Sequence, residues 1–371
     1  MTATMTPNPV RKRSALTKGQ LPKAAPFIVL VLALVIGAAI LALVGFNAFG
    51  WGIVSAILFA AGLVGWSAIV EGRRKAQDKL ATCLVSGAFI VALLPLVSVI
   101  WTVLVNGIPG LVTPGFLTYS MNGVTGAYDN RAAEEGAPII GGIYHAMLGT
   151  LEITLLATAM SVPVGLLTAI YLVEYGNDRP LARAITFFVD VMTGIPSIVA
   201  GLFSAAFFFA IVGPGTKTGA VAAVALSVLM IPVVVRSSEE MLKIVPNELR
   251  EAAYALGVRK WRTILKVVIP TAISGIASGV TLAIARVIGE TAPILVTAGF
   301  ATAINANVFS GWMASLPTFI YTQILNPTSP SNPDPSSQRA WGAALVLIIL
   351  VMLLNLGARL IARVFAPKAG R

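Results

Sequence analysis

The chain has 371 residues, of which 57% are hydrophobic and only 11% charged, and its mean hydropathy is +0.88. That composition leaves too few polar residues to cover a water-soluble domain of this length, so the chain is read as an all-α, polytopic integral membrane protein. One cysteine, Cys83, and one histidine, His145, make an internal disulfide impossible and a metal site improbable, and neither a metal nor a cofactor is expected.

Apolar runs long enough to cross a bilayer as helices, about 20 residues each, are predicted near 27–46, 52–70, 80–105, 146–173, 184–212, 217–235, 271–299 and 340–362. The first follows the basic residues Arg11, Lys12, Arg13, Lys18 and Lys23, has no convincing cleavage site, and reads as a retained signal anchor. With that end in the cytoplasm, all but four of the 26 basic residues fall in cytoplasmic segments; the exceptions are Arg131, Lys217, Arg286 and Arg339. The positive-inside rule then places both termini in the cytoplasm of a bacterial-type plasma membrane. The net charge of +11 is a matter of topology and does not mark a nucleic-acid surface.

The first two runs and the hydrophilic break "EGRRKAQDK" that follows them, residues 1–79, read as an accessory hairpin ahead of a larger bundle at 80–365. Two long segments, 106–145 and 300–339, fall outside; the prolines and small polar residues of "NPTSPSNPDP" in the second disfavour regular structure. They are expected either to meet an external partner or to act as solvated spacers. His145, at an outer boundary, is expected to be interfacial. Pro163, Pro196, Pro232 and Pro293 each interrupt a run, which favours positions inside a bundle or along a cavity. Glu152 and Asp190 each lie roughly 10 Å from the end of a run, a depth that snorkelling or local hydration can handle.

The longest cytoplasmic segment, 236–270, begins at Arg236, which is expected to snorkel from a helix end. Within it Pro246, Asn247 and Glu248 predict a helix start, residues 249–256 continue it, and Gly257 ends it as a C-cap; a second short helix is predicted from about Lys260. The resulting compact knob suits a groove on a partner protein.

Glu251, Ala252, Ala253, three residues, Gly257, nine residues, Val267, one residue, Ile269 and Pro270 resemble the "EAA" coupling loop of ABC importer permeases. Val267 and Ile269 are conservative departures from its usual ending. Together with "GGIYHAMLGTLEIT", "VPVGLLTAIYLVEY", "MTGIPSIVAGLF", "IPVVVRSSEEML" and "RVIGETAPIL", residues 80–365 resemble the phosphate-specific ABC permeases, and "GETAP" is more similar to the A-type (PstA) than the C-type subunit.

The resemblance implies a type I importer core of six spans, here preceded by the extra hairpin, with Glu251, Ala252, Ala253 and Gly257 coupling to an ATPase. It also implies partners: a second, C-type permease, two ATP-binding subunits and an extracytoplasmic phosphate-binding protein. No "GK" dipeptide occurs, so a Walker A loop is absent, the chain is not expected to be an enzyme, and ATP is left to another polypeptide. Alternatives are a permease for another oxyanion such as sulfate or molybdate, and an ATP-independent secondary anion transporter or channel.

Arg286 lies fifteen residues beyond Thr271, roughly 22 Å along its run and so near the midplane. A charge there costs about 2.5–3.5 kcal/mol even on the lenient insertion scale. Glu290 follows at i, i+4, a spacing that would put both on one helical face as an ion pair. An apolar pair would be cheaper, so Arg286 and Glu290 are expected to line the substrate path; the resemblance of "IPVVVRSSEEML" implies Arg236 as an exit-side contact for the anion, beside the snorkelling reading.

Overall fold

A computed structural model describes residues 19–176 and 179–365; Arg11, Lys12, Arg13 and Lys18 of the basic N-terminal segment lie outside the described residues. The chain forms two compact units, Met1–Ile100 and Trp101–Arg371. All regular structure among the described residues is helical.

The first unit holds α1 (Ala25–Val44), α2 (Ala48–Val70) and the first part of α3 (Arg73–Leu111), the remainder of which belongs to the second unit. α1 and α2 form a hairpin whose close approach depends on small residues: a Cβ on Gly37 would stand 2.5 Å from Ser55 Oγ. Trp51 Nε1 donates to the Leu34 carbonyl across the pair at 2.9 Å. At the far end Glu71 accepts from Lys79, from the Leu21 amide and from Ser67 Oγ. These donors, Lys79 foremost, hold its carboxyl down at about 2.

The second unit is built around α8 (Gly219–Ile244), the most enclosed of the long helices, with 67% of its apolar window buried. Against it pack α5 (Tyr144–Ile170), extended by one π-helical turn at Tyr171–Tyr175, and α11 (Ile269–Val287), reached through α10 (Lys260–Thr263) and a second π turn at Ile264–Val268. Ile153, Ala157, Leu226, Met230, Val234, Ala283 and Val287 form the core between them. Glycines let backbones close in: a Cβ on Gly165 would meet Val234 at 2.7 Å, and one on Gly279 would meet Ser237 Oγ at 2.3 Å. α14 (Asp334–Phe365) lies on α11.

Two expected spans are broken. The run at 184–212 is a pair, α6 (Pro180–Thr193) and α7 (Ser197–Val212), bent by 109° at residues 194–196. The run at 271–299 ends as α11 at Val287 and resumes as the short α12 (Ala292–Thr297). Among the described residues there are therefore seven helices long and apolar enough to span a bilayer, or eight if the bent pair counts as one. Each break has a glycine ahead of a proline, Gly194 before Pro196 and Gly289 before Pro293, and each proline stands at the start of the next helix. Glycine weakens the helix and proline cannot supply the N–H that would continue it. Pro163 and Pro232, with no glycine within four residues upstream, sit inside the continuous helices α5 and α8.

The segments 106–145 and 300–339 are not open spacers. They carry α4 (Gly126–Glu134) and α13 (Leu316–Leu325) and share a core of Phe116, Met121, Ile143, Ala314, Leu316 and Phe319. His145, expected at an interface, is enclosed by this core: its ring meets Phe319 edge-on at 5.6 Å, and neither ring nitrogen has a hydrogen-bond partner among the described residues.

Candidate functional site

The helix expected after Pro246 is α9 (Asn247–Ala255). It closes as a Schellman motif: Val258 N–H reaches the Ala253 carbonyl at 3.1 Å, Gly257 N–H reaches Tyr254 at 2.9 Å, and Gly257 takes a φ of +75°. A residue with a Cβ is strained at that φ, so the sharp exit of α9 depends on this glycine.

Glu251, Ala252, Ala255 and Leu256 face outward, Leu256 84% exposed, whereas Ala253 is buried against the chain's own bundle. Of the two alanines assigned to the coupling contact, only Ala252 stands on the open face. A clamp that spacing alone did not reveal holds the inner face. Arg250 pairs with Glu174 of the π turn after α5 at 3.0 Å and donates to the Val245 and Leu242 carbonyls at 2.6 and 2.9 Å. Lys260 donates to the Glu174 carbonyl and lies over the Tyr175 ring.

Arg236 stands in the second half of α8. Its Nη1 donates to Glu239 at 2.8 Å, one turn along the same helix, and its Nη2 to Asp190 of α6. Glu239 also holds Lys243 at 2.7 Å, so two cations and two carboxylates balance. Asp190, expected to sit inside a continuous span, is on the amphipathic arm before the bend, with its side chain 59% exposed.

Arg286 occupies the last turn of α11 on a stripe with Ser274, Ser278 and Leu282 that is exposed on this chain. Glu290 lies beyond the helix end, its amide bonded to the Val287 carbonyl. The expected i, i+4 ion pair is not formed: neither residue makes a salt bridge with any described residue. The spacing rule needs a continuous helix, and Gly289 ends it first. Arg286 is thus an uncompensated cation on a small-residue face, and Glu290 a half-buried carboxylate at the junction of α11 and α12.

The most enclosed charge pair lies elsewhere. Arg339 of α14 and Asp129 of α4 are each 1% exposed and meet through two bonds, 2.9 and 2.6 Å. Gln323, the Ile140 carbonyl, Thr328 and Ser336 take the remaining guanidinium donors. Arg339 was visible in the sequence only as a misfit to the positive-inside rule. Glu152 keeps one buried carboxylate oxygen, Oε2, without a partner. No group of three or more His, Cys, Asp or Glu capable of holding a metal occurs among the described residues.

The family described as "Binding-protein-dependent transport system inner membrane component" matches residues 161–371. "Phosphate transport system permease protein PstA 1" of Mycobacterium tuberculosis (strain CDC 1551 / Oshkosh) is 48% identical over 289 residues, covering 78% of this chain and 90% of that protein. "Phosphate transport system permease protein PstA" of Pasteurella multocida (strain Pm70) is 35% identical over 298 residues, covering 80% and 97%. Among solved structures, an inward-facing MetNI methionine ABC transporter matches with a TM-score of 0.47 at 21% identity, covering 59% of this chain and 94% of that one. With family and relatives matched over this much of its length, the chain is a multi-pass membrane protein that belongs to the PstA family of phosphate transport system permease proteins, a family of transport components and not of enzymes.

Proposed function

We propose that the chain is the A-type permease subunit of an ATP-driven importer of inorganic phosphate. The observation that carries the substrate is the 48% identity, over 78% of the chain, to relatives named as phosphate transport permeases. The protein forms no covalent bond with phosphate; it supplies half of a gated path. A second, C-type permease completes the path, two ATP-binding subunits drive it, and an extracytoplasmic binding protein delivers the anion.

Both termini are cytoplasmic in this reading, which requires α6 and α7 to make one crossing between them. Residues 1–79 are an accessory hairpin to the permease core at 80–365. Support comes from the packing of α1 on α2.

The open face of α9, with Glu251, Ala252 and the exposed Leu256, seats on an ATP-binding subunit, and the Gly257 turn passes its displacement to α10 and α11. The Arg250–Glu174 clamp supports this role, because it ties α9 to the end of α5 and makes the knob move with the bundle. Arg286 is the fixed positive site for passing phosphate: guanidinium matches phosphate oxygens in a two-bond fork and stays charged at any working pH. Glu290, at the helix junction, repels the anion and assists its release, and Arg236 receives it on the inner side.

The test is phosphate uptake by the complete transporter, normalised to assembled complex. Arg286→Gln abolishes uptake while assembly and the binding protein's affinity persist, and Arg286→Lys retains part of it. Gly257→Val inserts normally but loses coupled transport. Uptake that survives removal of the ATP-binding subunits would instead establish a secondary transporter.

A further inference from the structure

Arg236 has two carboxylate partners of unlike character. Glu239 is 11% exposed, belongs to the same helix, and is held from its other side by Lys243. Asp190 is 59% exposed, has Arg236 as its single partner among the described residues, and comes from α6. Its bond to Arg236 is the only polar link between α6 and α8 among the described residues.

α6 is also the arm of the 109° bend that rests on α8. Beyond the hinge α7 is tightly seated, since a Cβ on Gly201 would stand 2.7 Å from Pro293 Cα of α12. α12 in turn follows directly on Glu290. One side of the hinge is therefore packed backbone against backbone, while the other rests on α8 through side-chain packing, with Val189 buried, and through one polar link whose Asp190 side chain is 59% exposed.

We propose that Asp190 occupies the phosphate position on Arg236 when the path is empty, and that the passing anion displaces it and so unties α6 from α8. The inference rests on the reading of Arg236 as the inner contact of the path. The exchange favours phosphate because a dianion makes two charge-assisted bonds to the guanidinium fork where Asp190 makes one. Glu239 does not yield, being pinned by two cations. Once α6 is free the inner side opens, and the return of Asp190 to Arg236 expels the anion and resets the arm. Asp190 is thus a positioning residue that acts through Arg236 and couples arrival of substrate to the hinge at 194–196.

The experiment uses the complete transporter with its binding protein in proteoliposomes, supplied with inorganic phosphate and ATP. In Asp190→Asn nothing competes for Arg236, so turnover at saturating phosphate falls by about two- to fivefold, the range expected of a half-exposed ion pair. KM changes by less than about twofold, because delivery from the binding protein is untouched. ATP hydrolysis without phosphate rises, since α6 is no longer tied, and Asp190→Glu restores both readouts toward the parent values.

Parent turnover together with parent phosphate-free hydrolysis in assembled Asp190→Asn would overturn the proposal. So would failure of Asp190→Asn to assemble, which would make the pair a structural brace. Arg236→Gln in the same assay separates the two levels. An inactive Arg236→Gln beside a normal Asp190→Asn removes only the exchange, whereas an active Arg236→Gln removes the path reading beneath it.

Discussion

Arg339–Asp129 and Arg236–Asp190 are the same chemical pair in the same unit, placed in opposite circumstances. The first is 1% exposed on both sides and spends every guanidinium nitrogen on a fixed acceptor. The second is 34% and 59% exposed, shares its arginine with Glu239, and joins two helices through one bond. A sealed and fully satisfied pair has no capacity for a further ligand and no room to move. An open and partly satisfied one can exchange partners. Between them stands Arg250–Glu174, 12% and 5% exposed, which fastens α9 to the turn after α5.

The largest effect is expected at the sealed pair. Asp129→Ala leaves a buried guanidinium without its counter-charge, and such a break costs about 3–5 kcal/mol. Thermal unfolding of the purified complex in mild detergent should show a large loss, with segments 106–145 and 300–339 the first to become protease-sensitive. Replacing both partners by apolar residues, Asp129→Leu with Arg339→Met, does not bring the loss to zero here. The buried Gln323 would lose the donor its side-chain oxygen now meets, and Ser336 Oγ would keep the Thr328 amide but lose Asp129 as its acceptor, at about 1–3 kcal/mol per group left buried and unpaired. A double variant as stable as the parent would show that these bonds contribute nothing beyond the ion pair.

An intermediate effect is expected at the clamp under α9. Arg250→Ala removes the partner of Glu174 and the donor to the carbonyls of Leu242 and Val245, a local loss of about 1.5–3 kcal/mol for bonds to a charged group. Hydrogen exchange of the amides of residues 247–255 should quicken while α8 keeps its protection. Arg250→Lys keeps the charge but not the fork, and should fall between the two. Unchanged exchange in α9 would mean that the Schellman turn at Gly257 and the packing of Ala253 hold the knob unaided.

These three pairs mark where sequence reasoning reached and where it stopped. α9 was legible to within a residue because its signals are local: Pro246 and Glu248 at the start, and a glycine at the position that needs positive φ. The long helices were legible as apolar runs of membrane length. Pro196 and Pro293 marked the breaks at 194–196 and 288–291, but Pro163 and Pro232 gave the same mark and lie inside continuous helices: averaging hydropathy is blind to backbone chemistry, and proline alone does not end a helix.

Arg286 and Glu290 show the opposite error, in which a spacing of four was taken for a shared helical face across a glycine that ends the helix. The pairs that hold the unit together join residues 46 to 210 positions apart, and no local pattern encodes them. The signal available was topological: Arg339 stood on the wrong side for a basic residue, and a misplaced charge needs a partner.

The smallest stability effect is expected where the largest change in turnover per unit of stability lies, and this sharpens the comparison most. Asp190→Asn removes an ion pair whose side chains are 34% and 59% exposed on this chain, where the gain in attraction is nearly matched by lost hydration and side-chain entropy. The folded complex should therefore lose no more than about 1 kcal/mol, an amount that shifts thermal unfolding by a few degrees at most. Arg236→Gln should exceed that loss, because Glu239 would then keep only Lys243. Running the single variants and the double in a thermodynamic cycle isolates the coupling between Asp190 and Arg236, which should fall below about 1 kcal/mol. A coupling of several kcal/mol would place this pair with Arg339–Asp129 as a brace, and would leave no exchangeable partner on Arg236 for the anion to replace.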